Sequence, residues 1–259
     1  MSDVQCTTDE RGVTTLMLDR PEHHNALTRS MIDQVTAALE QVQSQTRVLV
    51  VTGRGESFCA GADVNWMKAS ATLSEQDNRA DAKALSNMLE ALDNFPHPSI
   101  AVVQGAAVGG GCGILACCDI AIASESARFG FSEVRLGLTP ATISPYVLAA
   151  TGARQARRWF LTGERFDALE AYRMRLVHDL CSTDSLGHRL DKRLADLLAG
   201  GPEAQQAIKQ LIKDVALRPT TDEIRTDIAD RLAKLRTSDE AQEGLSAFLE
   251  KRKPSFDVS

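Results

Sequence analysis

A buried strand that ends in glycine and leads through small residues into a helix occurs twice in this 259-residue chain. The first copy spans residues 47–66 and begins "RVLVVTG", and the second spans residues 99–116 and begins "SIAVVQG". Strands that alternate with helices are joined by crossover connections, which favour a mostly parallel sheet covered by helices. The repeat therefore predicts an α/β fold.

The last third of the chain shows a different pattern, in which apolar residues at helical spacing continue with little strand. The segments with this spacing are residues 183–199, 203–216, 220–235 and 239–250. No glycine- or serine-rich linker precedes them. We expect an α/β core over residues 1–183 and a helical region over residues 184–259, which packs on the core or makes contacts between subunits.

Charge and composition argue against several functional classes. A net charge of −6 argues against a general nucleic-acid or anionic-membrane surface. The chain has no run of eighteen apolar residues and its first residues lack the basic-then-apolar order of a signal sequence. Its six cysteines form no C-x-x-C pair, which predicts buried free thiols in a cytoplasmic protein. His23 and His24 have no third ligand at a useful spacing, so we expect no metal site.

The stretch "AAVGGGCGILACCD" (106–119) raises the question of dinucleotide binding. Gly111, Gly113 and Ala116 satisfy G-x-G-x-x-A, and Glu133 lies at the distance of a ribose-binding acid. In a dinucleotide site, however, the first glycine follows the strand almost at once, whereas Gly111 comes eight residues after Val103, where the strand is predicted to end. The spacing therefore argues against a dinucleotide cofactor.

A second interpretation uses both repeats together. "CAGAD" (59–63) and "GGGCG" (109–113) each place small residues at the first turn of a predicted helix. Helix N-termini expose unpaired N–H groups, and two such donors at one point form an oxyanion hole. The same small residues also permit tight helix–strand packing, and spacing alone does not decide between these interpretations.

Several ordered motifs resemble the enoyl-CoA hydratase/isomerase (crotonase) superfamily over nearly the whole chain. They are "GESFCAGADVNWM", "AVVQGAAVGGGCGILACCDIAIASESARFGFSEVRLGL" and the terminal "AFLEKRKPSF". The resemblance implies a crotonase-like spiral of ββα repeats with a helical C-terminal trimerisation region. It also implies an acyl-CoA thioester substrate, no separate cofactor because coenzyme A is part of the substrate, and a homotrimer or dimer of trimers.

The resemblance also implies roles for particular residues. The backbone N–H groups of Ala62 and Gly110 fall on the oxyanion-hole donors of the family. The residues that the resemblance places at the substrate and coenzyme A site are His24, Ala60, Ala62, Asp63, Val64 and Gly110.

One carboxylate falls on a catalytic position of the family, and a second is missing. Glu133 follows an aromatic, apolar lead-in, and partial desolvation there would raise its pKa towards the range useful for proton transfer. Glu133 matches a catalytic glutamate of the hydratases, whereas Gly113 stands at the position of their other acid. Two activities stay open: hydration by Glu133, and isomerisation of an enoyl-CoA by the same single acid.

The segment "PATISP" (140–145) resembles bacterial methylglutaconyl-CoA and isohexenylglutaconyl-CoA hydratases, which act in leucine and acyclic terpene breakdown. This resemblance predicts hydration of a branched glutaconyl-CoA. The non-enzyme alternative is an RNA-binding member of the superfamily, which would need a broader basic face. The residues expected to shape the acyl pocket are Trp66, Met67, Met88, Leu138 and Tyr146.

Overall fold

The computed structural model describes residues 2–259, in which nine strands and ten α-helices follow one another along the chain. The strands are β1 (Val4–Thr8), β2 (Val13–Leu18), β3 (Val48–Gly53), β4 (Ser99–Val103), β5 (Ala106–Val108), β6 (Ile120–Ser124), β7 (Arg128–Gly130), β8 (Arg165–Asp167) and β9 (Asp179–Cys181). The helices are α1 (Arg29–Val42), α2 (Val64–Ser70), α3 (Glu75–Asp93), α4 (Gly110–Cys117), α5 (Ser144–Thr162), α6 (Ala168–Arg173), α7 (Leu186–Leu198), α8 (Pro202–Val215), α9 (Asp222–Arg236) and α10 (Asp239–Glu250).

Six strands form a large sheet in the order β1-β2-β3-β4-β6-β9. All neighbouring pairs are parallel except β1 and β2, which form an antiparallel hairpin. Every residue of β4 is buried, as expected for a parallel strand that helices cover on both faces. The prediction of a mostly parallel α/β sheet is confirmed.

A second sheet of three short strands, in the order β5-β7-β8, lies at the ends of the repeats. Two residues separate β4 from β5, and three separate β6 from β7, so the chain leaves the large sheet and enters the small one directly. After β3 the corresponding segment is reduced to Cys59, which pairs in parallel with Ala107 of β5. These units are the predicted ββα repeats, and the predicted crotonase-like spiral is confirmed.

Side-chain caps define the starts of the helices that surround the site. The hydroxyl of Thr28 accepts a hydrogen bond from the Met31 amide at the start of α1. The hydroxyl of Ser74 does the same for the Asp77 amide at the start of α3. Such caps satisfy N–H groups that a helix leaves unpaired at its N-terminus. Thr28 and Ser74 therefore fix where α1 and α3 begin.

The C-terminal helices differ in how they join the core. Leu186, Leu194 and Leu198 of α7 are buried against the large sheet. Helices α8 and α9 contain no buried residue. Polar contacts attach α8 to the core, including 2.6 Å between Lys209 Nζ and Asp119 Oδ2 and 2.7 Å between Lys213 Nζ and Asp93 Oδ2. Within the region expected over 184–259, α7 therefore packs into the core. Helix α8 is attached to the core by polar contacts instead.

All six cysteines are free and five of them are buried, as their surroundings in the sequence predict. Within residues 2–259, no helix combines the length and the apolar character that a membrane crossing requires.

Candidate active site

The site begins with the backbone pairing between Cys59 and β5. The Cys59 amide donates to the Ala106 carbonyl (2.9 Å), and the Val108 amide donates to the Cys59 carbonyl (3.0 Å). Beyond this pairing, Ala62 follows Cys59 by three residues and Gly110 follows Ala107 by three residues. The two loops that contain Ala62 and Gly110 therefore leave the pairing side by side.

Leu27 holds the first loop from its other side. The Leu27 amide donates to the Gly61 carbonyl (2.7 Å), and the Asp63 amide donates to the Leu27 carbonyl (2.9 Å). The backbone of Leu27 is thus hydrogen-bonded to the carbonyl before Ala62 and to the amide after it. The Ala62 amide itself donates to no other described residue. It is a backbone donor that is left free in an otherwise paired segment.

Gly110 provides the corresponding donor in the second loop. It is the first residue of α4, and the first N–H groups of a helix have no partner within the helix. A Cβ atom at Gly110 would lie 2.7 Å from Cδ1 of Leu27. The lack of a side chain at this position therefore keeps the space beside the amide open.

Glu133 comes from a third segment that pairs with β5. Val108 is in register with Gly130 of β7, and Glu133 begins a 3-10 turn three residues later. Gly109 has a φ of +51°, and a Cβ there would lie 2.9 Å from Oε1 of Glu133. The backbone conformation at position 109 therefore favours glycine, and a side chain there would displace the Glu133 carboxylate.

The Glu133 carboxylate is poorly solvated. Its Oε2 atom is buried and has no hydrogen-bond partner among the described residues. Burial raises the pKa of this carboxyl above its usual range, with a smaller opposing effect from a hydrogen bond with its own backbone. A buried polar atom without a partner is rare in folded proteins and indicates a place where a ligand or water binds.

A cavity of about 330 Å³ brings Ala60, Ala62, Gly110 and Glu133 together in one wall. The rest of the wall is mostly apolar, with a few hydroxyl, amide and carboxylate groups. The apolar members include Leu27, Trp66, Met67, Leu85, Leu136, Leu138 and Ile143, and the polar ones include Ser70, Asn78, Asp81, Thr139 and Thr142. None of the described residues that line this cavity is a lysine, arginine or histidine.

Two of the five residues expected to shape the acyl pocket are elsewhere. Trp66, Met67 and Leu138 line the cavity, as predicted. Met88 is fully buried in the main apolar core. Tyr146 lines a separate open cavity of about 800 Å³, which contains none of the residues Ala62, Gly110 and Glu133. Sequence alone could not separate these residues, because each is apolar or aromatic and its surroundings depend on how distant segments pack.

Three residues that the resemblance places at the coenzyme A site do not line the cavity. Asp63 is buried: its Oδ1 caps α2 by accepting from the Asn65 amide (2.8 Å), and its Oδ2 lies 3.3 Å from Arg20 Nη2. His24 lies beside the cavity loop, with its Nδ1 atom 3.1 Å from the Ser57 hydroxyl, and Val64 is 59% exposed. The Asp63 side chain therefore holds the loop in place. Contacts of coenzyme A with His24, Asp63 and Val64 stay predictions.

Gly113 is buried, and the side chain of Ile143 fills the space that a side chain at position 113 would take. A Cβ at Gly113 would overlap Cγ2 of Ile143 and lie 2.9 Å from the Cβ of Ile143. Ile143 is 1% exposed and lines the cavity. The apolar side chain of Ile143 thus fills the space where the family resemblance places a second acid. Ile143 belongs to the "PATISP" segment, but no local pattern in that segment signals its contact with position 113.

Comparisons with known proteins identify the family of the chain. Residues 8–258 match the family model described as enoyl-CoA hydratase/isomerase. A 2,3-dehydroadipyl-CoA hydratase from Escherichia coli (strain K12) is 35% identical, over 99% of each chain. An enoyl-CoA isomerase/hydratase from Mycosarcoma maydis is 32% identical, over 95% of this chain and 92% of its own. The crystal structure of an enoyl-CoA hydratase from Shewanella pealeana has a TM-score of 0.94 and 41% identity, over 98% of this chain and 95% of that chain.

The contact between Gly113 and Ile143 predicts a stability effect. Gly113→Ala should lower the free energy of unfolding by about 1–3 kcal/mol, because the added methyl group overpacks the core. Gly187 in α7 is the matched control, since no atom lies within 4 Å of the position of its missing Cβ. Gly187→Ala should leave stability unchanged or raise it by up to about 1 kcal/mol. Urea unfolding of both variants checks this, and equal stabilities would contradict the packing described.

Proposed function

The chain belongs to the enoyl-CoA hydratase/isomerase family, and we propose that it adds water across the C2–C3 double bond of an α,β-unsaturated acyl-CoA, with Glu133 as acid and base. The observation that carries the proposal is the buried, unpartnered Oε2 of Glu133 in a cavity shared with Ala62 and Gly110. A carboxylate with a raised pKa beside two free amides matches what hydration of a thioester requires.

The proposed reaction has two steps. As the water oxygen bonds to C3, Glu133 takes one proton from the water, and the electrons of the double bond move through C2 to the thioester oxygen. The amides of Ala62 and Gly110 donate hydrogen bonds to this oxygen while it carries negative charge. The carbonyl then re-forms as C2 takes the proton from Glu133. The product contains the substrate and one molecule of water, and Glu133 is ionised again.

The single acid also supports a second candidate, which is isomerisation of an enoyl-CoA. Moving a double bond needs one group that takes a proton from one carbon and returns it to another. The space at Gly113 is filled by Ile143, and Asp81, the other carboxylate of the cavity, already bonds to Trp66 and Arg29. Glu133 is therefore the group available for this transfer. The relative from Mycosarcoma maydis is named for both activities. Mass analysis separates them, because hydration adds the mass of one water and isomerisation leaves the mass unchanged.

For the acyl group we propose a branched glutaconyl-CoA, methylglutaconyl- or isohexenylglutaconyl-CoA, in leucine or acyclic terpene breakdown. The relative from Escherichia coli is named for 2,3-dehydroadipyl-CoA, which also has a second carboxylate. Because no cationic side chain of the described residues lines the cavity, a second carboxylate would depend on neutral donors there. Those available are the hydroxyls of Thr139 and Thr142, because the Ser70 hydroxyl and the Asn78 amide already donate to backbone carbonyls.

Coenzyme A itself is proposed to lie along the loop from Ala60 to Val64, close to His24. Ala60 lines the cavity, and its amide donates to the His24 carbonyl (3.0 Å). This contact connects the cavity wall with an exposed surface segment, where the polar part of the ligand would remain in water. The six free cysteines suit the reducing cytoplasm, which we propose as the compartment.

Replacement of the proposed acid tests the mechanism directly. Glu133→Gln keeps the shape of the side chain but cannot take a proton, so hydration should fall by at least about a hundred-fold. Binding of a saturated acyl-CoA should be largely kept. Turnover is followed by mass analysis on crotonyl-CoA and methylglutaconyl-CoA, and binding by calorimetry. A wild-type rate in this variant would refute the mechanism.

The pH dependence follows from the raised pKa of Glu133. The carboxylate must be ionised to take a proton from water, so kcat/KM should fall as the pH drops through this pKa. Because burial raises it, the fall should occur at a higher pH than for a solvated glutamate, whose pKa is about 4.3. Glu133→Gln should remove this acid limb from any residual activity. A pH–rate profile of both proteins makes the comparison.

The oxyanion donors are tested at Gly110. Gly110→Val would push side-chain atoms against Leu27 and into the space beside the free amide, and loss of one such donor costs about a hundred- to a thousand-fold in rate. Gly110→Ala adds a single methyl group at the flexible end of Leu27 and should have a smaller effect. Thermal unfolding confirms that both variants fold. A folded Gly110→Val enzyme with near-normal kcat would exclude this donor.

We also propose that the protein is a homotrimer or a dimer of trimers. Large apolar side chains stay exposed in the single chain, among them Leu161 (74%), Phe248 (80%) and Leu249 (78%). Exposed apolar groups of this kind mark surfaces that associate, and closed symmetric assemblies are the usual result. Light scattering at micromolar concentration should give three or six times the mass of one chain. A monomer mass would overturn this proposal.

A further inference from the structure

Two side-chain hydrogen bonds join α2 to α3, and the one nearer the middle of α2 involves an indole that lines the cavity. The indole Nε1 of Trp66, on α2, donates to Oδ2 of Asp81, on α3, over 2.9 Å. Both side chains line the cavity, and Trp66 also packs against the main apolar core. The bond therefore holds a large aromatic ring as part of the wall that a bound acyl group would meet.

Asp81 is itself held in place by a residue of α1. Its Oδ1 atom accepts from Nη1 of Arg29, on α1, over 3.0 Å. The Nε atom of the same guanidinium donates to Asp33 over 3.0 Å. Both oxygens of Asp81 are therefore used, one for Trp66 and one for Arg29. Because the carboxylate is anchored in this way, it fixes the direction of the indole.

Trp66 is the one residue of α2 that packs against the main apolar core. The helix has seven residues and none of them is buried. Its other polar attachments are at its two ends: the Asp63 cap at the start, and Asn78 Nδ2, which donates to the Ser70 carbonyl over 3.1 Å. Trp66 is the residue that ties the middle of the helix to α3. Without this bond, polar contacts would hold α2 only at its two ends, and the middle of the helix would be free to move outward.

We propose that the Trp66–Asp81 hydrogen bond sets the size of the acyl cavity and so the length of acyl chain that the enzyme accepts. The inference rests on the proposed function, since it takes the cavity that contains Glu133 as the place of the acyl group. Asp81 acts as a positioning residue through Trp66, and Trp66 determines specificity by contact with the chain. Loss of the bond lets α2 and the indole yield to a longer chain.

The experiment compares binding of butyryl-CoA and decanoyl-CoA by calorimetry, which needs no turnover. Trp66→Phe keeps an aromatic ring without a donor, and Asp81→Leu removes the acceptor. Each should shift the ratio of the two dissociation constants by about ten-fold in favour of the longer chain, the effect of burying roughly two more methylene groups. Asp33→Asn is the control, because Asp33 bonds to Arg29 without lining the cavity, and its ratio should match the wild type.

The outcomes are distinguishable. A shifted ratio in Trp66→Phe and Asp81→Leu, with an unshifted ratio in Asp33→Asn, supports the proposal. Equal ratios in all four proteins overturn it and leave the proposed function standing. If Asp81→Leu does not fold, Trp66→Phe decides the question alone. Failure of the wild type to bind either acyl-CoA overturns both the proposed function and this inference.

Discussion

The hydrogen bonds between Cys59 and β5 are the constraint on which the rest of the site depends. They join two segments that are far apart in the sequence, and they set the register in which these two segments run side by side. Because Ala62 and Gly110 each follow the paired residues by three positions, their amides enter the same cavity wall. Pairing of β7 with β5 adds Glu133 to this wall from the next repeat. One short parallel arrangement thus brings together three groups from three repeats.

The sequence was most informative where function depends on the backbone or on one motif. The apolar runs of β3 and β4 predicted the parallel sheet. The small residues near Ala62 and Gly110 left an oxyanion hole and tight packing as alternatives, and Ala62 lies two residues before α2 instead of in its first turn. The strands of the small sheet were not predicted, because three residues are too few to show periodicity. Met88 and Tyr146 were misplaced because their environment depends on how α3 and α5 pack, which is a non-local property.

The relation between Gly113 and Ile143 shows how chemistry and packing are coupled here. An acid at position 113 and an isoleucine at position 143 would require the same volume. The number of carboxylates in the cavity is therefore tied to how the start of α5 packs on α4. In a core at close-packed density, neither residue can change its size alone without a response from the other. The absence of an acid at position 113 thus depends on Gly113 and Ile143 together.

The free amides of Ala62 and Gly110 have a consequence for how such a site can be mapped. Alanine scanning removes side chains, whereas these donors belong to the peptide backbone. Position 62 is already alanine, and alanine at position 110 adds an atom instead of removing one. A scan of this kind would report the neighbours that hold the loops, such as Leu27 and Asp63, and would pass over the two groups themselves. Replacing a peptide bond by an ester, which removes a single N–H, is the change that addresses them.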